Sequence, residues 1–188
     1  MALKRDGALF GAEARQAKEQ KRRFLERHLL EIPAQKIARF YGAKHQFSKT
    51  VEEIDELLEA IAQTEKWWRE GTAKLTEEQR HALLTESVDV TVLCAQLLHL
   101  YAIMWPAKLT VEPLHIVSHT IPELGSLRDQ LLSIKRPSYN VPPPGAFYTM
   151  TQAIRLGIYV ASTDEFQAEV NFKIERQLMR IENEGTLD

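Results

Sequence analysis

Two pairs of acidic residues set inside apolar helical patterns limit what this chain can fold into more than any other feature. The pairs are Glu53/Glu56 and Glu86/Asp89. The i, i+3 spacing sends both carboxylates of a pair from the same helix face. Val88, Val90, Val92 and Leu93 surround Asp89 with apolar side chains, so the helix that carries this acid must also bury itself. Carboxylates turned inward from neighbouring helices are costly unless a cation neutralises them. Oxygen donors without Cys or His suit a hard divalent ion, Mg2+ or its substitute Mn2+, rather than zinc. Glu53, Glu56, Glu86 and Asp89 are therefore the expected metal ligands.

The remaining patterning is helical. A charged helix is expected over 8–31, interrupted by Pro33, and a short one over Ala34–Tyr41 that stops at Gly42. Thr50-Val51-Glu52-Glu53 has the form of a capping box. It opens a helix over about 48–70, with Val51, Ile54, Leu57, Leu58 and Ile61 at helical spacing. Thr76-Glu77-Glu78-Gln79 is a second capping box, heading a helix to about Met104, with Pro106 just beyond. Two shorter helices are expected around Val111–Ser118 and Pro122–Arg136. The proline-rich stretch 137–145 is a loop, and its place near the mouth of a site is an expectation. A helix over 147–161 and a terminal helix to about Glu184, headed by a third capping box at Ser162-Thr163-Asp164-Glu165, complete the pattern. No alternating pattern marks a strand, so the fold class is all-α.

With 188 residues the chain fits a single all-α domain over 1–188, in which 105–160 reads as an extension. The net charge of −2 gives no global drive toward nucleic acid or an anionic membrane. One cysteine, Cys94, excludes an intrachain disulfide framework and is compatible with a reducing compartment. The first residues lack the apolar core of a signal peptide. The apolar run Val88–Trp105 holds Asp89, Gln96 and His99 and reads as a buried helix. A cytoplasmic protein is expected, without nucleic-acid or membrane partners. Because Val88–Met104 is apolar nearly all round, either the 105–160 extension or a second subunit must cover it.

Helices 48–70 and 76–104, folded as an antiparallel hairpin, put Glu56 and Glu86 within about 6 Å of each other along the axis. Glu53 then pairs with Asp89, and Glu56 with Glu86. His115 and His119 have zinc-compatible spacing but lack the glutamate of H-E-x-x-H. The basic run Lys18–Arg23 reads as a solvated helix face.

The segment from Gln46 to Leu57 resembles the Q-x-x-K-x-x-E-E-x-x-E-L signature of MazG-like nucleoside triphosphate pyrophosphohydrolases. Glu86-x-x-Asp89 is similar to that family's second metal motif. Asn171-Phe172-Lys173-Ile174-Glu175-Arg176-Gln177 resembles its N-x-K-x-x-R-R segment, with Gln177 in place of the second arginine. Val88 stands where a small residue is usual.

The resemblance implies an all-α bundle that assembles as a homodimer or homotetramer. It implies Mg2+-dependent cleavage of a (deoxy)nucleoside triphosphate to monophosphate and pyrophosphate. Lys173 and Arg176 would then meet phosphate oxygens, and Asn171 the phosphate or sugar. His45, Gln46 and Phe47 become candidates for nucleobase contact, Gln46 through its amide edge and Phe47 through its ring. Among the acids, Glu53 is the candidate to orient or deprotonate the attacking water. A base-selective dUTP or dCTP pyrophosphatase and a catalytically silent helical interaction protein are the alternative readings.

Overall fold

The computed structural model describes residues 6–71, 74–100, 109 and 111–184, with side chains described from residue 33 onward. Every regular element among them is helical, and no strand occurs. The helices are α1 (Asp6–Gln63), a π-helical turn (Lys66–Glu70), α2 (Glu77–Leu97), α3 (Pro113–Ser133), α4 (Ala146–Val160) and α5 (Thr163–Glu184).

At α2 the architecture has its centre. Its residues from Leu83 to Leu97 are largely buried because α1, α4 and α5 all pack against it. The apolar stripe of this helix is thus covered within the chain, and α4, inside the 105–160 extension, contributes to that cover. The expected end near Met104 lies outside the described residues. What the structure describes is a Schellman closure at Leu98–Leu100. His99 takes a left-handed φ of 52°, its N–H donates to the Gln96 carbonyl, and the Leu100 N–H reaches the Ala95 carbonyl at 2.7 Å.

Side-chain pairs establish the helix directions. Gln79 Nε2 donates to the Gln63 carbonyl at 3.1 Å, tying the start of α2 to the end of α1 in an antiparallel hairpin. Arg80–Glu165, Asp89–Lys173 and Gln96–Gln177 follow one another in the same order along both helices, so α5 runs parallel to α2. Thr149 donates to the Glu123 carbonyl and Gly145 to the Gln130 side chain, making α3 and α4 antiparallel.

Local signals and packing agree at some helix ends and conflict at others. The Thr76 box forms reciprocally: Thr76 Oγ1 accepts from the Gln79 N–H at 3.2 Å, and Gln79 Oε1 accepts from the Thr76 N–H at 3.0 Å. Ser162 Oγ accepts from the Glu165 N–H at 3.1 Å at the head of α5. Gly71, with φ 63°, ends the π-helical turn.

The Thr50 box does not form. Thr50 lies within α1, fully buried, and its hydroxyl donates to the Gln46 carbonyl at 2.7 Å. Burying Phe47 and Ile54 on one face extends the helix upstream of the local cap signal. Gly42 keeps its breaking role as a kink, with φ 78° and ψ 156°.

Neither Pro33 nor Pro122 ends a helix, contrary to expectation. Each proline removes one i→i−4 bond, which a helix survives when its apolar face is held elsewhere. Ala34, Ile37 and Ala38 are fully buried beside Pro33. Val117, Thr120, Leu124, Leu127 and Leu131 form a continuous buried stripe through Pro122, whose ring faces out.

The 137–145 loop is anchored on α1 rather than at the carboxylates. Tyr139 donates its hydroxyl proton to the Ala38 carbonyl at 2.8 Å. Among the described residues no helix is long and apolar enough to cross a membrane.

Where α4 meets α5, the two helices approach too closely for any side chain on Gly157. A Cβ there would lie 2.1 Å from the ring of Phe166, which is fully buried. Gly157→Ala should therefore destabilise the fold by about 1–3 kcal/mol despite its better helix propensity. Gly125→Ala is the control, since nothing lies within 4 Å of a Cβ there. It should be neutral or stabilising by up to about 1 kcal/mol. Urea unfolding midpoints for the two variants would check this, and equal midpoints would contradict the close-approach argument.

Candidate functional site

The antiparallel pairing of α1 with α2 brings acids from both helices together. Glu53, Glu86 and Asp89 each offer a carboxylate oxygen, and these atoms all lie within 4.8 Å of one another. Glu53 is buried, and Glu86 and Asp89 are half-buried. Glu56 is exposed and stands outside this group. The reason is rotational: positions i and i+3 differ by about 60° around a helix. Glu53 therefore points into the hairpin while Glu56 lies on its rim.

Burial and mutual repulsion leave their mark on these groups. The Glu86 carboxyl is pushed up to about 7, first by burial and then by the charges of Asp89, Glu53 and Glu56. Its Oε2 is buried without a hydrogen-bond partner. Burial raises Asp89 above the ordinary carboxylate range, opposed by the hydrogen bond and charge of Lys173. Glu56 is raised chiefly by sharing a hydrogen bond with Glu53.

Two lysines supply counter-charge from opposite sides. On α1, Lys49 Nζ lies 2.6 Å from Glu53 Oε1. On α5, Lys173 Nζ lies 2.7 Å from Asp89 Oδ2. For Lys49, burial works against the ammonium, but the Glu52 and Glu53 carboxylates prevail and raise it above its usual value. Among the described residues, Glu86 alone in the triad has no hydrogen-bonded lysine. A buried anionic oxygen without a donor, in an all-oxygen set, is what a hard divalent cation would satisfy. The residues present therefore fit Mg2+ or Mn2+.

Two of the acids open onto a cavity of about 180 Å³. Glu53 and Asp89 line it together with four cationic side chains, Lys49, Lys173, Arg176 and Arg180, while Val92, Leu93 and Gln177 complete the wall. Of the sequence-derived phosphate contacts, Lys173 and Arg176 thus reach the cavity. Asn171 is exposed and does not line it.

The base-contact candidates fare differently. Phe47 is only 4% exposed and belongs to the hydrophobic core, so the stacking face expected of it is taken up by the protein. Burial of the i, i+7 pair Phe47 and Ile54 is what claims it. Gln46 is also buried, with an Oε1 that finds no partner. His45 is exposed and stacks on Tyr41, ring centroids 5.1 Å apart.

Sequence reasoning passed over Lys49 and Arg180 as site residues. Lys49 precedes Glu53 by one helical turn, a spacing that pairs opposite charges. Arg180 follows Lys173 by seven residues, two turns along the same stripe.

The raised Glu86 carboxyl carries a pH dependence. Its folded-state value of about 7 exceeds the ordinary 4.5. The folded protein therefore holds this proton more tightly than the unfolded chain does. Its contribution to stability is complete below pH 4.5 and is lost as pH rises through 7. In EDTA, wild type should match Glu86→Gln in unfolding midpoint near pH 5 and fall below it near pH 8. A gap between the two that does not change with pH would contradict the assignment.

No protein-family model, curated protein or solved structure matches the chain.

Proposed function

We propose that this chain is a Mg2+-dependent pyrophosphohydrolase of the MazG-like kind, cleaving (deoxy)nucleoside triphosphates to monophosphate and pyrophosphate. The observation that carries the reading is the joining of two opposite features in one cavity. Two of the three mutually close carboxylates, Glu53 and Asp89, line it beside four cationic side chains. Hydrolysis of a phosphoric anhydride needs both, because negative charge must be held on the substrate and stabilised as it shifts to the leaving pyrophosphate.

A bound Mg2+ would supply charge neutralisation at the phosphate oxygens, held by Glu53, Glu86 and Asp89, with Glu56 at the rim. Glu53 is the residue assigned to the water: its carboxylate accepts a proton as the water oxygen bonds to the α-phosphorus. The bridging P–O bond to the β-phosphate breaks, and pyrophosphate departs with the electron pair. Lys49 holds the Glu53 carboxylate in position for this role through their 2.6 Å contact. Lys173 and Arg176 meet the phosphate oxygens as charge-assisted donors. A narrower preference for dUTP or dCTP is a version of the same chemistry.

A second reading, a helical interaction protein without activity, draws on the ion pairs themselves. Lys49 and Lys173 already neutralise two of the three acids. A pyrophosphate-release screen over canonical NTPs and dNTPs, with Mg2+ and with EDTA, separates the two. The enzyme reading expects metal-dependent release that falls about 10²–10⁴-fold in Glu53→Gln and is abolished in Asp89→Asn. Release that persists in excess EDTA, or no release from any nucleotide, would reject it.

We also propose a homodimer or a homotetramer, the assembly the resemblance implies. Phe40 on α1 and Phe172 and Met179 on α5 are large exposed apolar residues that a partner would cover. Light scattering at micromolar concentration should give a mass at least twice that of the 21.6 kDa chain. A monomer mass would reject this.

A further inference from the structure

Lys173, Arg176 and Arg180 occupy positions i, i+3 and i+7 of α5, and all three line the cavity that holds Glu53 and Asp89. Like charges one turn apart on a helix repel one another. Lys173 is relieved by Asp89 at 2.7 Å. Among the described residues neither arginine has an ion-pair partner. Glu184, one turn beyond Arg180, does not pair with it. Two arginines that line a cavity without an ion-pair partner are a place for an external anion.

The register of this stripe is pinned at two points. Beyond the Lys173–Asp89 contact, Gln96 Nε2, on the buried face of α2, donates to Gln177 Oε1 at 2.6 Å. Gln177 is neutral and engaged, so the charge of the wall is carried by Lys173, Arg176 and Arg180. Arg180 lies about 10 Å along the helix axis from Lys173. One phosphate group cannot serve both ends of such a wall. A chain of linked phosphates can, with its near end against the carboxylates and its far end at Arg180.

We propose that Arg180 is a phosphate-binding residue that holds the far phosphate of a polyphosphate chain, so that the site selects triphosphates over single phosphates. The proposal rests on the hydrolase reading and adds to it the residue that measures chain length. Arg176, between the two stations, serves the middle of the chain. The guanidinium of Arg180 offers paired N–H donors to phosphate oxygens, which an amide cannot replace.

The test is calorimetric titration of the full chain, in Mg2+ buffer, with inorganic tripolyphosphate and with orthophosphate. Arg180→Gln should weaken tripolyphosphate binding about tenfold and leave orthophosphate binding unchanged. Arg180→Lys, which keeps the charge but not the paired donors, should fall between wild type and Arg180→Gln. Because Arg180 is exposed, the variants should unfold at the wild-type temperature. The proposal is overturned if Arg180→Gln binds tripolyphosphate as tightly as wild type. It is equally overturned if both anions lose affinity alike, or if wild type binds no tripolyphosphate. Arg180-dependent binding without pyrophosphate release from any nucleotide would remove the hydrolase reading and leave the polyphosphate site standing. Nucleotide turnover with unchanged tripolyphosphate affinity in Arg180→Gln would do the reverse.

Discussion

The neutralisation of acids on α2 by cations reaching in from α1 and α5 is the interaction on which the rest of the structure depends. The same helix carries Val88, Val90 and Val92, all buried, and Glu86 and Asp89, half-buried. Burying the first group draws the second out of water, and an uncompensated carboxylate there would cost several kcal/mol, on the order of the penalty for a desolvated ion. Lys173 answers Asp89 and Lys49 answers the facing Glu53. The position of α5 follows from this. It runs parallel to α2 and is held at three successive points, Arg80–Glu165, Asp89–Lys173 and Gln96–Gln177.

Packing around α2 also explains why charge and apolar surface coexist so closely in this fold. The core runs continuously from Ile54 and Leu57 on α1, through Leu83 to Leu97 on α2, to Met150, Ile154 and Leu156 on α4. The α4–α5 corner closes it by direct contact of Gly157 with Phe166. The half-buried carboxylates of α2, Glu86 and Asp89, lie where α2 meets Glu53 of α1 and Lys173 of α5. There the same cavity gathers the lysines and arginines. Electrostatic tension is thus localised, and Glu86, the acid without a hydrogen-bonded lysine, bears most of it.

Helix boundaries show packing overruling local chemistry in a consistent direction. Where a cap signal stands at an exposed end, as at Thr76 and Ser162, it forms. Where the flanking residues are buried, as around Thr50, the helix runs straight through the signal. Pro122 is spanned by an apolar stripe that continues on both sides, and Pro33 is followed at once by the fully buried Ala34, Ile37 and Ala38. One lost backbone hydrogen bond, about 1 kcal/mol net, is outweighed by burial of several leucine-sized side chains at about 1.5–3 kcal/mol each.

The all-α class, the Thr76 and Ser162 caps, the antiparallel hairpin and three of the acids that meet in it were legible in the residues. They depend on short-range periodicity, which a sequence carries openly. The helical phase placed Glu53, Glu86 and Asp89 toward the hairpin seam, but the 60° turn that puts Glu56 on the rim required knowing which face of α1 is buried. Phe47 looked like an aromatic available for stacking, and only the tertiary packing claimed it for the core. Lys49 and Arg180 carried only a weak local signal, their spacing from Glu53 and Lys173, since cations at helical spacing are common. They acquire a site identity because α1, α2 and α5 converge on one cavity. That convergence joins residues more than a hundred positions apart, and it is decided by which surfaces bury best against α2 rather than by any local pattern.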